Sequence, residues 1–285
     1  MTAAGPAPDR YAVIGNPVAH SQSPFIQQAF ARQTGQAMDY GRVLAPLDGF
    51  EATLRAFAAE GGRGCNVTVP FKFDACRLAA RRSARAELAQ AANVLRFDAE
   101  GWFGDNTDGV GLVRDVEAGA AEPLVGRRVL LVGAGGAAAG VLGPLLEARP
   151  AVLTVVNRSI DKALALAERH RALAESRGVA LAAGDLDDAP SANEVVINAS
   201  ASSLQGVVSP VPARVLAPRA LAVDLMYGRA AAPFLGWAEA AGARARDGLG
   251  MLVEQAAEAF FVWRGVRPLT PPVLQALRAR LAAGA

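Results

Sequence analysis

The sequence predicts an α/β protein of two α/β domains, and three observations carry that prediction. Apolar runs of strand length alternate with alanine-rich segments of helical period along the whole chain. From residue 127 onward the alternation becomes regular, as a parallel sheet with crossovers demands. The chain has 285 residues and is 52% hydrophobic, enough for two cores. No unbroken apolar run reaches the roughly 20 residues of a membrane span.

The elements follow in order. "YAVIG", residues 11 to 15, reads as a strand, and Ser23-Pro24 opens a helix with Ser23 as N-cap and proline in the first helical position. "DYGRVLA" (39–45) and "CNVTVP" (65–70) are strands on either side of the helix "LDGFEATLRAFAAEGG", which its paired glycines end. The arginine-rich "RLAARRSARAEL" (77–88) reads as a solvated helix face. "NVLRFDAEGWFG" (93–104) reads as a hairpin turning at Asp98-Ala99-Glu100-Gly101. The second half offers strands at "RVLLVG", "VLTVVN", "VALAAG", "EVVINAS" and "ALAVDLMY". There is no internal repeat.

Composition excludes several classes. With 29 basic and 27 acidic side chains interspersed, the net charge of +2 builds no field for nucleic acid. The start, "MTAAGPAPDR", reads as a frayed tail without the basic and apolar regions of a secretion signal. Cys65 and Cys76 are too few for a disulfide framework or a zinc site, so both read as small core hydrophobes in a reducing cytoplasm, with no metal.

Chemistry first shows at "RVLLVGAGGAAAG". A strand runs into Gly133-Ala134-Gly135-Gly136-Ala137-Ala138, the G-x-G-x-x-A form of a dinucleotide fingerprint. Gly133 serves the tight turn, Gly135 the close approach of a pyrophosphate, and Ala138 the packing of helix on sheet, while the helix N-terminus offers amide donors to the anion. The next strand ends in Asn157 and Arg158, not in the carboxylate that an NAD ribose prefers. Arg158 can pair with a ribose phosphate, and Lys162 follows one helical turn later. The cofactor expected is NADP.

The first half offers substrate groups. "GNPVAHSQSP" places Ser21 and Ser23 beyond the first strand, and "NVTVPFK" offers Asn66, Thr68 and Lys72. As neighbours two apart in a strand, Asn66 and Thr68 point to one side, an amide and a hydroxyl suited to a polyhydroxylated substrate. Lys72 follows the strand end, placed to aim an ammonium into a cleft.

Together, "YAVIGNPVAHSQSP", "NVTVPFK", "GDNTDGVG", "GAGGAAAG", "NRS" and "GLGMLVEQAAEAF" resemble shikimate dehydrogenases in order and spacing, over nearly the whole chain. The resemblance implies an N-terminal substrate domain facing a Rossmann-type NADP domain across a cleft, with the last helices returning to the substrate domain. The division implied is 1–108 plus 250–285 for substrate and 109–249 for cofactor. It implies reversible reduction of 3-dehydroshikimate to shikimate in aromatic amino-acid biosynthesis, by a monomer or homodimer.

By the same resemblance Lys72 is the proton donor and Asp108 its aspartate partner. Ser21, Ser23, Asn66, Thr68, Asn93, Asp108, Tyr227 and Gln255 match substrate positions. Gly133 to Ala137, Asn157, Arg158, Ser159, Lys162, Asn198, Ala199, Ser200, Met226, Gly250 and Met251 match cofactor positions. The chain departs from the family at Gln22, where lysine is usual and a surface position is expected, at "NVL" (93–95), and at "NASASSLQG" (198–206). Two alternatives stand beside this reading: a quinate or aminoshikimate dehydrogenase, and a non-catalytic NADP-binding sensor. Ser23 weighs against the first; Lys72, Asp108 and Gln255 together weigh against the second.

Overall fold

The structure, a computed structural model, describes residues 7–200, 202 and 208–283; the first six residues of the tail expected at 1–10 and most of the 198–206 departure lie outside these, while Asp9 and Arg10, expected in that tail, instead open the first strand. The chain divides into two compact units, 1–107 with 256–285 and 108–255.

The first unit contains β1 (Asp9–Gly15), α1 (Ser23–Thr34), β2 (Met38–Leu44), α2 (Phe50–Ala59), β3 (Gly62–Val67), α3 (Lys72–Leu78), β4 (Arg81–Arg82), α4 (Ala84–Ala89), β5 (Val94–Arg96) and β6 (Phe103–Asp105). Its sheet runs β2-β1-β3-β5-β6-β4, with β1 parallel to β2 and β3, and the β5–β6 hairpin antiparallel. Both faces are covered, and the period of two along β1 shows it. Ala12 and Ile14 join Leu54, Phe57 and Phe71 on one side, while Tyr11 and Val13 join Tyr40, Val94 and Trp263 on the other. Cys65 and Cys76 are buried, and Cys65 belongs to the first cluster; burial pushes both thiols up, away from reactive thiolate.

The second unit begins with α5 (Asp108–Arg114), which continues into a π-helical turn at Asp115–Gly119. There follow β7 (Arg128–Val132), α6 (Gly136–Glu147), β8 (Val152–Val156), α7 (Ile160–Arg177), β9 (Ala180–Gly184), β10 (Asn193–Asn198), β11 (Leu216–Asp224), α8 (Ala232–Ala240) and β12 (Arg244–Arg246). Its six strands are all parallel in the order β12-β11-β10-β7-β8-β9. Central strands such as β7 are unbroken apolar runs because both faces are buried. Next comes α9 (Leu249–Arg264), which the division between the units crosses after Gln255, and α10 (Pro271–Ala282) closes the chain.

Three local expectations are corrected. Gln22, half-buried and not a surface residue, is the N-cap of α1; Ser23 is its first residue, and the Ser23 amide donates to Ser21 Oγ (3.3 Å). The strand at 65–70 ends at Val67, so Thr68 lies just beyond it, though its amide still donates to the Ile14 carbonyl (3.0 Å). Residues 77–88 are not one solvated face. They hold the end of α3, the two-residue β4, and α4, whose N-cap Ser83 accepts from the Ala86 amide (3.2 Å). Arg85 in that stretch is drawn inward, pairing with Asp105 (2.5 Å) and Glu258 (3.2 Å). Burial opposes its charge, but those carboxylates hold its pKa above the usual arginine value.

His170 is fully buried in α7, with Nδ1 against the Leu166 carbonyl (2.9 Å) and no partner for Nε2. Burial pushes its pKa down from 6.5 to about 4. Between those values the unfolded chain binds the extra proton, so this group's contribution is complete above the unfolded pKa and is lost as pH falls toward the folded one. Urea unfolding across that window is expected to show the parent losing up to about 3 kcal/mol that a His170→Leu variant does not lose. Parallel pH curves for the two proteins contradict this.

Candidate active site

In the first unit the expected substrate groups include two hydrogen-bonded sets, Ser21 with Ser23 and Asn66 with Asn93. Ser21 and Ser23 follow β1, and Ser21 Oγ donates to Ser23 Oγ (3.2 Å). Asn66, at the end of β3, is 6% exposed; its Nδ2 donates to the Asn93 carbonyl (3.2 Å) and its Oδ1 accepts from the buried Tyr40 hydroxyl (2.6 Å). Asn93 in turn is bound to Thr107, accepting from its amide (2.8 Å) and donating to its hydroxyl (3.0 Å). Lys72 is half-buried as the first residue of α3, and its carbonyl accepts from the Ala92 amide (2.8 Å), beside Asn93. Asparagine and threonine suit these places because one side chain can both accept from a backbone amide and keep a donor.

The β5–β6 hairpin, which Asn93 and Thr107 flank, is anchored by further bonds. Asp105 accepts from Ser83, from Arg85 and from the Asn106 amide (2.7 Å), and Asn106 Nδ2 donates to the Ala91 carbonyl (2.9 Å). Tyr40 and Arg85 were invisible as contributors in sequence, since their partners lie 26 and 20 positions away. Ser83 did carry a readable signal, a capping serine before Ala-Arg-Ala-Glu.

In the second unit most residues expected to bind the nucleotide lie at the carboxyl ends of the strands. From β7 the chain proceeds outward to β8 and β9, then crosses to β10, β11 and β12 on the other side, so β7 and β10 flank the switch point where such sheets bind ligands. Gly133 follows β7 with φ +114°, and a Cβ there would meet Ala199 and the Ser200 amide at 3.0 Å. Only glycine fits. A Cβ on Gly135, the N-cap of α6, meets nothing within 4 Å, which leaves open space over the helix N-terminus. Those amides and that room fit a pyrophosphate.

Asn157, Arg158 and Ser159 follow β8, which ends at Val156, short of the expected end at Asn157 and Arg158. Arg158 and Lys162 are exposed, and neither has an ion-pair partner among the described residues. Asn198 accepts from the Ser200 amide (3.2 Å) and donates to the buried Asp224 (3.3 Å), which accepts from the Met226 amide (2.9 Å). The Met226 carbonyl accepts from Gly248 (2.9 Å), just before α9, whose first two turns carry Gly250, Met251 and Gln255. Tyr227 is half-buried next to Met226. Asp108 is 5% exposed at the start of α5. Among the described residues no cluster of His, Cys, Asp and Glu could hold a metal ion, and no helix is long and apolar enough to cross a membrane.

Family models match along the chain: a shikimate dehydrogenase substrate-binding domain at 13–95, a shikimate/quinate 5-dehydrogenase at 117–233, and a shikimate 5'-dehydrogenase C-terminal domain at 248–278. A shikimate dehydrogenase (NADP(+)) of Methylibium petroleiphilum is 63% identical over 279 residues, covering 96% of this chain and 95% of that protein. The chain belongs to the shikimate dehydrogenase family.

Solved structures of similar proteins agree with that family fold, an N-terminal α/β domain and a Rossmann-like domain. An Ael1 enzyme from Pseudomonas putida superposes with a TM-score of 0.85 at 48% identity, covering 94% of this chain and 98% of that one. A shikimate 5-dehydrogenase of Thermus thermophilus, in complex with NADP(H) and shikimate, gives 0.81 at 32% identity, with 95% and 99% covered.

Proposed function

We infer that the protein is an NADP-dependent shikimate dehydrogenase, reversibly reducing 3-dehydroshikimate to shikimate. The observation that carries this is full-length identity of 55–63% to several shikimate dehydrogenases (NADP(+)), supported by a fingerprint followed by Arg158 and Lys162 in place of a carboxylate. The first unit is the substrate domain and the second the cofactor domain.

The turn Gly133–Ala137 would hold the pyrophosphate, Asn157, Arg158, Ser159 and Lys162 the adenosine phosphate, and Asn198, Ala199, Ser200, Met226, Gly250 and Met251 the remainder. When bound, the cofactor supplies a hydride to the substrate's carbonyl carbon. Ser21, Ser23, Asn66, Thr68, Asn93, Tyr227 and Gln255 bind and orient the substrate. Negative charge grows on the carbonyl oxygen during reduction; the Lys72 ammonium stabilises that charge and gives up a proton, with Asp108 supporting its charged form. In the reverse direction, neutral Lys72 takes the hydroxyl proton.

Quinate and amino analogues remain the second substrates to try, because the matched family model is itself one of shikimate/quinate dehydrogenases. Two results test the reading. Reduction of 3-dehydroshikimate with deuterium at the transferable nicotinamide position is expected to give shikimate labelled at the former carbonyl carbon; unlabelled product contradicts direct hydride transfer. Arg158→Ala is expected to raise KM for NADP by about 10- to 100-fold while leaving that for NAD within about twofold, since only the phosphate loses its partner. Equal losses for both cofactors contradict the phosphate clamp.

A further inference from the structure

Tyr40 occupies the third position of β2, is 2% exposed, and reaches into the polar set of the first unit. The orientation of that set can be deduced bond by bond. Asn66 Nδ2 faces the Asn93 backbone carbonyl (3.2 Å), which only accepts, so that end of the amide is nitrogen and the other end is oxygen. The amide oxygen also only accepts, so the single proton of Tyr40 is committed to it (2.6 Å).

The result is a one-way path from the Tyr40 hydroxyl through the Asn66 amide to the Asn93 carbonyl. Burial raises the Tyr40 phenol well above its usual pKa, so its proton stays in place throughout the working pH range. Asn66 and Asn93 are residues already assigned to substrate binding. Tyr40 is not, and it acts on that pair through the Asn66 oxygen.

The geometry points to Tyr40 as a positioning residue for substrate recognition: its hydroxyl locks the Asn66 amide so that the second amide N–H is presented to a substrate hydroxyl or carbonyl oxygen. This rests on the assignment of Asn66 to the substrate, made under the proposed function. A phenylalanine in place of Tyr40 fills the same space but leaves the Asn66 oxygen buried without its donor and the amide free to turn.

The test measures parent, Tyr40→Phe, Asn66→Ala and the double variant, by steady-state kinetics with shikimate and NADP and by calorimetric titration of shikimate alone. Tyr40→Phe is expected to raise both KM and Kd for shikimate about tenfold or more, with KM for NADP within about twofold, as the loss of one buried hydrogen bond in a binding set should. The double variant is expected to match Asn66→Ala within about twofold, because Tyr40 acts through Asn66. A Tyr40→Phe protein with unchanged shikimate affinity, or a double variant clearly worse than Asn66→Ala, overturns the inference. Should Tyr40→Phe alone not fold, the double variant, in which no buried amide is left unpaired, decides by the same comparison. A parent inactive on shikimate removes the functional reading and this inference with it; an active parent with an indifferent Tyr40→Phe removes the inference alone.

Discussion

Lys72→Ala is expected to cut turnover by roughly 10²- to 10⁴-fold, the range that a positioned general acid contributes, while KM for NADP stays within about twofold. The split follows from where the groups sit. The fingerprint, Arg158 and Lys162 all lie in the second unit, whereas Lys72 opens α3 in the first. The Lys72 carbonyl that takes the Ala92 amide is backbone, so that bond survives truncation of the side chain. A control separates lost chemistry from lost structure: a small primary amine added to Lys72→Ala should restore part of the rate in proportion to its concentration, because it returns a proton donor to the vacated space. Turnover near that of the parent contradicts the proton-donor role. A rate that no amine restores, with a lowered unfolding midpoint, assigns the loss to folding.

Arg246→Met carries the largest expected effect on stability. Arg246 closes β12 and forms a bidentate pair with Asp115 in the π-helical turn after α5, at 2.8 and 2.5 Å. The Asp115 side chain is 2% exposed and that of Arg246 is 18% exposed. A hydrogen bond to Asp115 is the main cause that holds the guanidinium above its usual pKa. A third element meets the pair: a Cβ on Gly250, in the first turn of α9, would lie 1.7 Å from Asp115 Oδ1. The carboxylate therefore occupies the place that any larger residue would need, and it seats the turn carrying Gly250 and Met251.

Removing Arg246 leaves a buried charge without a partner, which costs about 3–5 kcal/mol. For a unit of this size that lowers the unfolding midpoint by roughly 10 °C. The double variant Asp115→Leu/Arg246→Met should recover most of the loss, because paired apolar replacement removes the buried charge itself. A single variant as stable as the parent contradicts the account of this pair.

Much of the architecture was legible because its signals are local. Val129 to Val132 followed by Gly133 announces a buried parallel strand and a turn that only glycine can make, within one short window. The hairpin at β5 and β6 was equally readable, from a turn cluster between two apolar runs. What escaped was short or non-local. β4 and β12 have two and three residues, too few to show a period. The stretch 77–88 looked like a single charged helix because arginines space themselves helically on either side of Ser83, and the inward turn of Arg85 depends on Asp105 and Glu258, far away in sequence.

The site divides the same way. Ser21, Ser23, Asn66 and Asn93 could be named from motifs, and Gly133 and Gly135 from their spacing. The hydroxyl of Tyr40, which holds the Asn66 amide, comes from a strand whose sequence shows only a β-former in a half-buried run. The Asp115–Arg246 pair spans 131 positions, so no window of sequence contains it.

The measurement that bears most directly on the central claim is the initial rate of oxidation of shikimate and of quinate by the purified protein, each with NADP and with NAD, followed by nicotinamide absorbance. The account predicts rapid reduction of NADP with shikimate and rates at least about tenfold lower in the other three combinations, the discrimination expected when a substrate hydroxyl set and a phosphate are both read by dedicated partners. Faster turnover with quinate or with NAD, or no turnover in any combination while NADP still binds, contradicts it.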